Sequence, residues 1–224
     1  MLAPDICRVT LKPAMPLYYH AGQFLNLRRR DGHSHSYSLA SVPKLDRRLE
    51  FHIKRLPGGE MSNWIFDEMK IGESVDIQGP NGACFYLPGD PGQCLLMIGT
   101  GTGLAPLWAI ARDALNDGHN GPIRLYHGSR AADGLYLRDE LAELAGSHAK
   151  FSYTGCLSGA ETPGGLAKGR AEEIALGEIP DLGGWRVFLC GNPPMVAGAK
   201  KRAFLARADF KAIYADAFEV RELR

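Results

Sequence analysis

The sequence predicts a two-domain chain, an antiparallel β-barrel followed by an α/β domain built on a parallel sheet. Three observations predict it. Up to about residue 90, short alternating runs are broken by turn residues, with one helical stretch among them. From residue 94, strand-like and helical stretches alternate, as in right-handed crossovers over a parallel sheet covered on both faces. Between these rhythms Asp90-Pro91-Gly92-Gln93 forms a natural hinge, so the expected domains are residues 1–91 and 92–224. A chain of 224 residues with 45% hydrophobic and 23% charged content can bury two ordinary cores.

In the first half, strands are expected at 6–11, 24–27, 37–40, 49–55 and 75–78, where apolar and polar residues alternate between Gly, Pro and Asn turns. Several short strands at this spacing suggest a small barrel. The helical stretch is 63–69, with Trp64, Ile65 and Phe66 as apolar bulk and Ser62 as its N-cap. In the second half, strands are expected at 94–98, 123–127, 150–153 and 185–190, with a last short one near 211–214. Helices are expected at 104–117, 135–145, 170–176 and 195–206.

Composition excludes several classes. The 26 basic and 25 acidic residues give a net charge of +1, so no nucleic-acid or anionic-membrane partner is indicated. No apolar run approaches the ~18 residues of a membrane span, and the N-terminus lacks the basic-then-apolar pattern of a leader, so a cytoplasmic location is expected. Cys7, Cys84, Cys94, Cys156 and Cys190 are scattered without a Cys-x-x-Cys spacing, which argues against zinc, an iron–sulfur cluster or a disulfide framework. His33 and His35 have no carboxylate at a ligand spacing, and no metal site is expected.

Two segments read as anion cradles. In Gly99-Thr100-Gly101-Thr102-Gly103, after an apolar strand, three alternate glycines lead to Pro106, a residue suited to a first helical turn. Backbone amides there, at the positive end of a helix, suit a pyrophosphate, although the spacing departs from Gly-x-Gly-x-x-Gly and also fits a ligand-free strand-to-helix turn. Pro57-Gly58-Gly59-Glu60-Met61-Ser62 leads into the first helix and has the same character, or is a plain cap after a turn. Tyr37, in His35-Ser36-Tyr37-Ser38, is either a core residue or a ring that stacks on a flat ligand, with Ser38 as a hydrogen-bond partner.

Five separated segments in the right order resemble the ferredoxin–NADP reductase superfamily, in particular the flavin and nicotinamide domains of bacterial oxygenase reductases and flavin reductases. The resemblance covers nearly the whole chain. It implies that Tyr37 packs on the isoalloxazine, Ser38 lies near N5, and position 35 meets the pyrophosphate. Gly58, Gly59 and Ser62, with Met61 between them, would take its other side, and His52-Ile53-Lys54 resembles the strand lining the adenosine. Gly99 to Pro106 would be the nicotinamide dinucleotide turn, with Ser129 and Arg130 at the coenzyme ribose. Cys190-Gly191-Asn192-Pro193-Pro194-Met195 is similar to the Cys-Gly-x-Pro-x-Met segment at the nicotinamide, and the tail through Asp216 and Phe218 is similar to the aromatic terminus beside the flavin ring. Ser38, Cys190 and Phe218 would then surround the reacting atoms. Two phosphate-type segments, near 35 and 59, favour FAD over FMN.

The sequence departs from the family in two places. His35 stands where the family has Arg, exchanging a permanent bidentate cation for a group charged in part near pH 7, so flavin should be held loosely and lost more readily at high pH. One of Arg28, Arg29 and Arg30 could compensate, or the run is a solvated loop. The family barrel also has a strand before the one at 6–11, so the chain is either a compact reductase or a fragment of a longer one; an incomplete barrel would leave an edge for a partner chain or a second copy. The resemblance implies transfer of a hydride from NADPH or NADH to bound FAD and of electrons to a protein acceptor. No aspartate or glutamate follows the second parallel strand to claim the ribose hydroxyls, and Ser129 and Arg130 suit a 2′-phosphate. Two other readings stay open: a reductase of free flavin, and a non-catalytic subunit that senses redox state or routes electrons.

Overall fold

A computed structural model of the chain describes residues 1–159 and 164–218. The first half supplies β1 (Ile6–Leu11), β2 (Phe24–Arg28), β3 (Ser34–Ser38), β4 (Leu49–Lys54), α1 (Glu60–Asp67) and β5 (Asp76–Asn81). β1 pairs antiparallel with β4, β2 lies between β3 and β5, and a Leu39–Phe51 bridge joins the two ladders. The expected barrel is therefore a ring of two short antiparallel sheets around one core. Alternation along β2 and β4 turns Leu25, Leu27, Leu49, Phe51 and Ile53 inward, and Met61, Trp64 and Ile65 of α1 close the ring.

The start of α1 corrects an expectation. Gly59 caps the helix, and Ser62 lies inside its first turn. There the Ser62 hydroxyl donates to the Gly59 carbonyl and accepts the Leu56 N–H, both at 3.1 Å, so it closes the preceding turn.

The second half supplies β6 (Leu95–Thr100), α2 (Leu104–Asn116), β7 (Ile123–Ser129), α3 (Arg138–Ser147), β8 (Phe151–Leu157), β9 (Ala167–Lys168), α4 (Ala171–Glu178), β10 (Arg186–Gly191), α5 (Pro193–Leu205) and β11 (Ile213–Ala217). These strands form one parallel sheet in the order β11-β10-β6-β7-β8-β9. The central strands are apolar without alternation, because α2 and α3 cover one face and α4 and α5 the other. From β6 the chain winds outward to β9, then returns through β10 on the opposite side of β6. That reversal opens a crevice beyond the carboxyl ends of β6 and β10.

Several boundaries differ from expectation, among them β3 at Ser34–Ser38 against 37–40, β5 at Asp76–Asn81 against 75–78, α1 at Glu60–Asp67 against 63–69, and β9, which was not expected. α3 begins at Arg138, not near 135, because Leu135, Tyr136 and Leu137 are core plugs and Leu137 takes the left-handed φ of +57° just before the helix. The last strand begins at Ile213, because residues 210–212 form a tight turn in which Asp209 accepts the Lys211 N–H.

Candidate active site between the two halves

At the crevice, β6 ends in Thr100, and Gly101, Thr102 and Gly103 make a single 3₁₀ turn into α2. The glycines do different work. Gly101 has φ +54°, and open space stands where a Cβ would be. A Cβ on Gly99 would meet Leu107 at 2.8 Å, and one on Gly103 would collide with the Cys190 carbonyl. Gly191, at φ +123°, reciprocates: its Cβ would stand 2.6 Å from the Thr100 carbonyl and hydroxyl. The Asn192 N–H donates to the Thr100 hydroxyl at 3.0 Å, so the ends of β6 and β10 are clasped together. Pro106 is buried in the first turn of α2, where its missing N–H costs nothing.

β10 delivers Cys190 to the same place. Its Sγ lies 3.6 Å from that of Cys84, and burial together with that neighbour holds the thiol well above its usual range. Pro193 occupies the start of α5, and Met195 is buried beneath that helix in the core against the sheet. The tail crosses here as well, with the Phe218 N–H donating to the Gly191 carbonyl at 2.8 Å.

The antiparallel half reaches this point through β3. Ser38 donates its hydroxyl to Asp216 Oδ2 at 3.4 Å, and Asp216 stands opposite Cys190 in the β10–β11 register. Burial raises the Asp216 carboxyl above the usual carboxylate range, and Ser38 partly offsets the rise. Tyr37 packs against the first core, where burial pushes its phenol up, and meets the His35 ring at 5.1 Å. His35 Nδ1–H donates to the Ser36 carbonyl at 3.0 Å. In the arginine run, Arg28 pairs with Asp76 at 3.5 Å, and Arg29 pairs with Asp31 beside Trp64. Arg30 is exposed and has no ion-pair partner among the described residues.

Other sequence candidates fall into distinct places. Gly58 has φ +72° and open space about it, Gly59 packs on Ser62, and Met61 is buried in the core. Along His52-Ile53-Lys54, the pleat sends Ile53 into the core, turns His52 toward the second half, and leaves only Lys54 exposed, paired with Asp5 at 3.1 Å. Ser129 and the exposed Arg130 follow one another at the carboxyl end of β7.

Sequence reasoning gave no role to Asp216, Cys84, His127 or Tyr136. Asp216 stood in the quoted tail, where one carboxylate between small residues of a strand was the available signal. The others become visible only when distant segments meet.

Residues 4–86 match the oxidoreductase FAD-binding domain family, and residues 97–201 match the oxidoreductase NAD-binding domain family. The chain is 33% identical over 214 residues to the ferredoxin–NAD(P)(+) reductase component of the naphthalene 1,2-dioxygenase system of Pseudomonas putida, covering 96% of this chain and 65% of that one. To the reductase subunit of an aromatic O-demethylase from an Amycolatopsis species it is 37% identical over 222 residues, covering 97% and 66%. The crystal structure of an Amycolatopsis cytochrome P450 reductase aligns with a TM-score of 0.91 at 36% identity, over 97% of this chain and 66% of that one. A ferredoxin reductase in carbazole 1,9a-dioxygenase aligns with a TM-score of 0.87 at 27% identity, over 98% and 66%. The chain thus spans just under two thirds of the length of these relatives. With an antiparallel FAD-binding half, a parallel-sheet NAD-binding half, and reductase components matching it almost end to end, the chain belongs to the ferredoxin–NADP reductase superfamily.

Proposed function

We propose that this chain takes a hydride from NADPH or NADH onto FAD and passes the electrons to a protein acceptor of the ferredoxin class, and that its domains are residues 1–91 and 92–224. The observation that carries the reading is the meeting of Ser38 with Asp216 beside Cys190, which brings the flavin-type and nicotinamide-type segments to one point. The residues fit the two cofactors, since Gly58 and Gly101 both hold positive φ with open space where a Cβ would stand.

Gly58, Gly59 and the first N–H groups of α1 hold one side of the flavin pyrophosphate, with His35 and Arg30 on the other. Tyr37 lies along the isoalloxazine, and Lys54 borders the adenosine. Gly101, Thr102 and the start of α2 hold the coenzyme pyrophosphate, and Ser129 and Arg130 hold its adenosine ribose. Cys190, Gly191 and Pro193 shape the nicotinamide position, Phe218 stands beside the flavin ring, and Asp216 orients the Ser38 hydroxyl between them. Bound FAD supplies two-electron acceptance at N5 and release of the electrons singly or as a pair. The protein's own work is to hold the two rings face to face and keep water out.

The visible spectrum of the purified protein, before and after NADPH or NADH under anaerobic conditions, tests this. A flavin band bleached by either coenzyme is the expected result; protein that binds no added FAD and oxidises neither coenzyme overturns it. His35 in place of an arginine supports a second reading, in which flavin is a substrate. Colourless protein that reduces added free flavin would establish that one. Coenzyme choice is read from Arg130→Ala, which should lower kcat/KM for NADPH more than for NADH. No helix among the described residues is long and apolar enough to cross a membrane, and a cytoplasmic supply of coenzyme suits the reaction.

A further inference from the structure

A run of polar groups between the two halves is unused by the cofactor roles above. Arg8 on β1 pairs with Glu50 on β4 at 3.2 Å, and Glu50 accepts the His52 Nε2–H at 2.9 Å. That bond assigns the His52 tautomer and leaves Nδ1 to accept the Tyr136 O–H at 3.1 Å. The Tyr136 ring then stands edge-on to two imidazoles, His52 at 5.2 Å and His127 at 5.5 Å. At the far end, His127 donates its Nε2–H to the Gly101 carbonyl at 3.0 Å. The run thus ends on the glycine turn.

His127 is fully buried, and its Nδ1 has no hydrogen-bond partner among the described residues. An unpaired buried acceptor is unfavourable, a penalty that a leucine or phenylalanine at this position would avoid. Something offsets that cost, and the Nε2–H bond is the one hydrogen bond the side chain makes among the described residues. The Gly101 carbonyl also accepts the Leu104 N–H that closes the turn, so two donors hold this oxygen inward. A carbonyl oxygen is the backbone atom that repels a phosphate. With both its acceptor sites engaged, that oxygen is kept from a phosphate placed at the open side of Gly101. Beside Tyr136, Leu137 is held at φ +57°, a conformation that persists where the surroundings over-determine it.

We propose that His127 is a positioning residue for the coenzyme. It fixes the Gly101 peptide so that the turn offers donors to a pyrophosphate, and Tyr136 and His52 register that peptide to the flavin half. The inference rests on the coenzyme reading of the turn given above.

ADP-ribose keeps the pyrophosphate and cannot be oxidised or reduced at nicotinamide, so its binding by calorimetry isolates the effect from turnover. His127→Leu should weaken ADP-ribose about tenfold, while His127→Gln, whose amide N–H can still donate, should stay within about threefold of the parent. Equal affinity in the Leu variant, or equal weakening in both variants, overturns the role of His127. Absence of ADP-ribose binding by the parent protein overturns the coenzyme reading itself. Tyr136→Phe keeps the ring and removes only the O–H to His52, so it remains informative if the Leu variant fails to fold. A two- to fourfold loss is expected there, and unchanged affinity overturns the coupling to the flavin half.

Discussion

One buried and one half-buried titratable side chain carry opposite pH signatures. Burial pushes His127 down to about 4, so the folded protein binds fewer protons than the unfolded chain between that value and the ordinary ~6.5. Stability from neutral His127 is present above ~6.5 and is lost as pH falls toward 4. His127→Gln should therefore lose less melting temperature between pH 7 and pH 4.5 than the parent, a difference that parallel thermal melts will show. At Asp216 the shift is upward, so the folded state favours the protonated carboxyl and loses stability as pH rises through its titration. Asp216→Asn should melt higher than the parent at pH 8, show no gain at pH 3, and turn over more slowly. At His35, replacement by arginine restores a permanent fork for phosphate, and equilibrium titration should show FAD bound several-fold more tightly by His35→Arg. The sequence marked His35 because a departure from a motif shows locally. Asp216 and His127 escaped because their partners lie far along the chain: Ser38 for one, Gly101 and Tyr136 for the other.

Among elements, the glycine turn shows how far spacing can be read. Three alternate glycines marked a strand, a turn and a helix, and β6 and α2 follow that order. What spacing could not say is which glycine faces a ligand. A methyl group on Gly103 meets backbone that cannot move aside, so Gly103→Ala should cost more than about 2 kcal/mol in urea unfolding. Gly101→Ala meets nothing and bears only its left-handed φ, roughly 1–2 kcal/mol in the same measurement. Equal costs would mean that the two glycines share one role. The Ser62 cap was misread for a similar reason, since a serine before an apolar run fits both a cap and a first-turn residue bonded backward. Tyr136 and Leu137 looked helical because their apolar bulk suits either a helix face or a plug.

For the whole molecule, alternation and periodicity made both architectures and their order legible, because each depends on near neighbours in sequence. The way the halves meet depends on pairs far apart. Arg112 grips Asp46 through two bonds of 2.9 and 3.0 Å, Lys44 reaches Asp117 at 2.6 Å, and Arg186 holds the Leu87 carbonyl at 2.8 Å. Cys84 touches Cys190 across the same junction. With this many ties, the protein should unfold in urea as one transition seen alike by tryptophan fluorescence and circular dichroism; two separated transitions would show the halves to be independent. The clasp of Gly103 on Cys190 and Gly191 on Thr100 has a consequence for descent with modification. On the proposed function it makes the reacting end of the coenzyme path nearly unchangeable, whereas Ser129 and the exposed Arg130 lie outside that clasp at the end of β7. On the proposed function, one reduced coenzyme can thus be exchanged for the other by substitution at residues 129 and 130 while the geometry for hydride transfer is inherited intact.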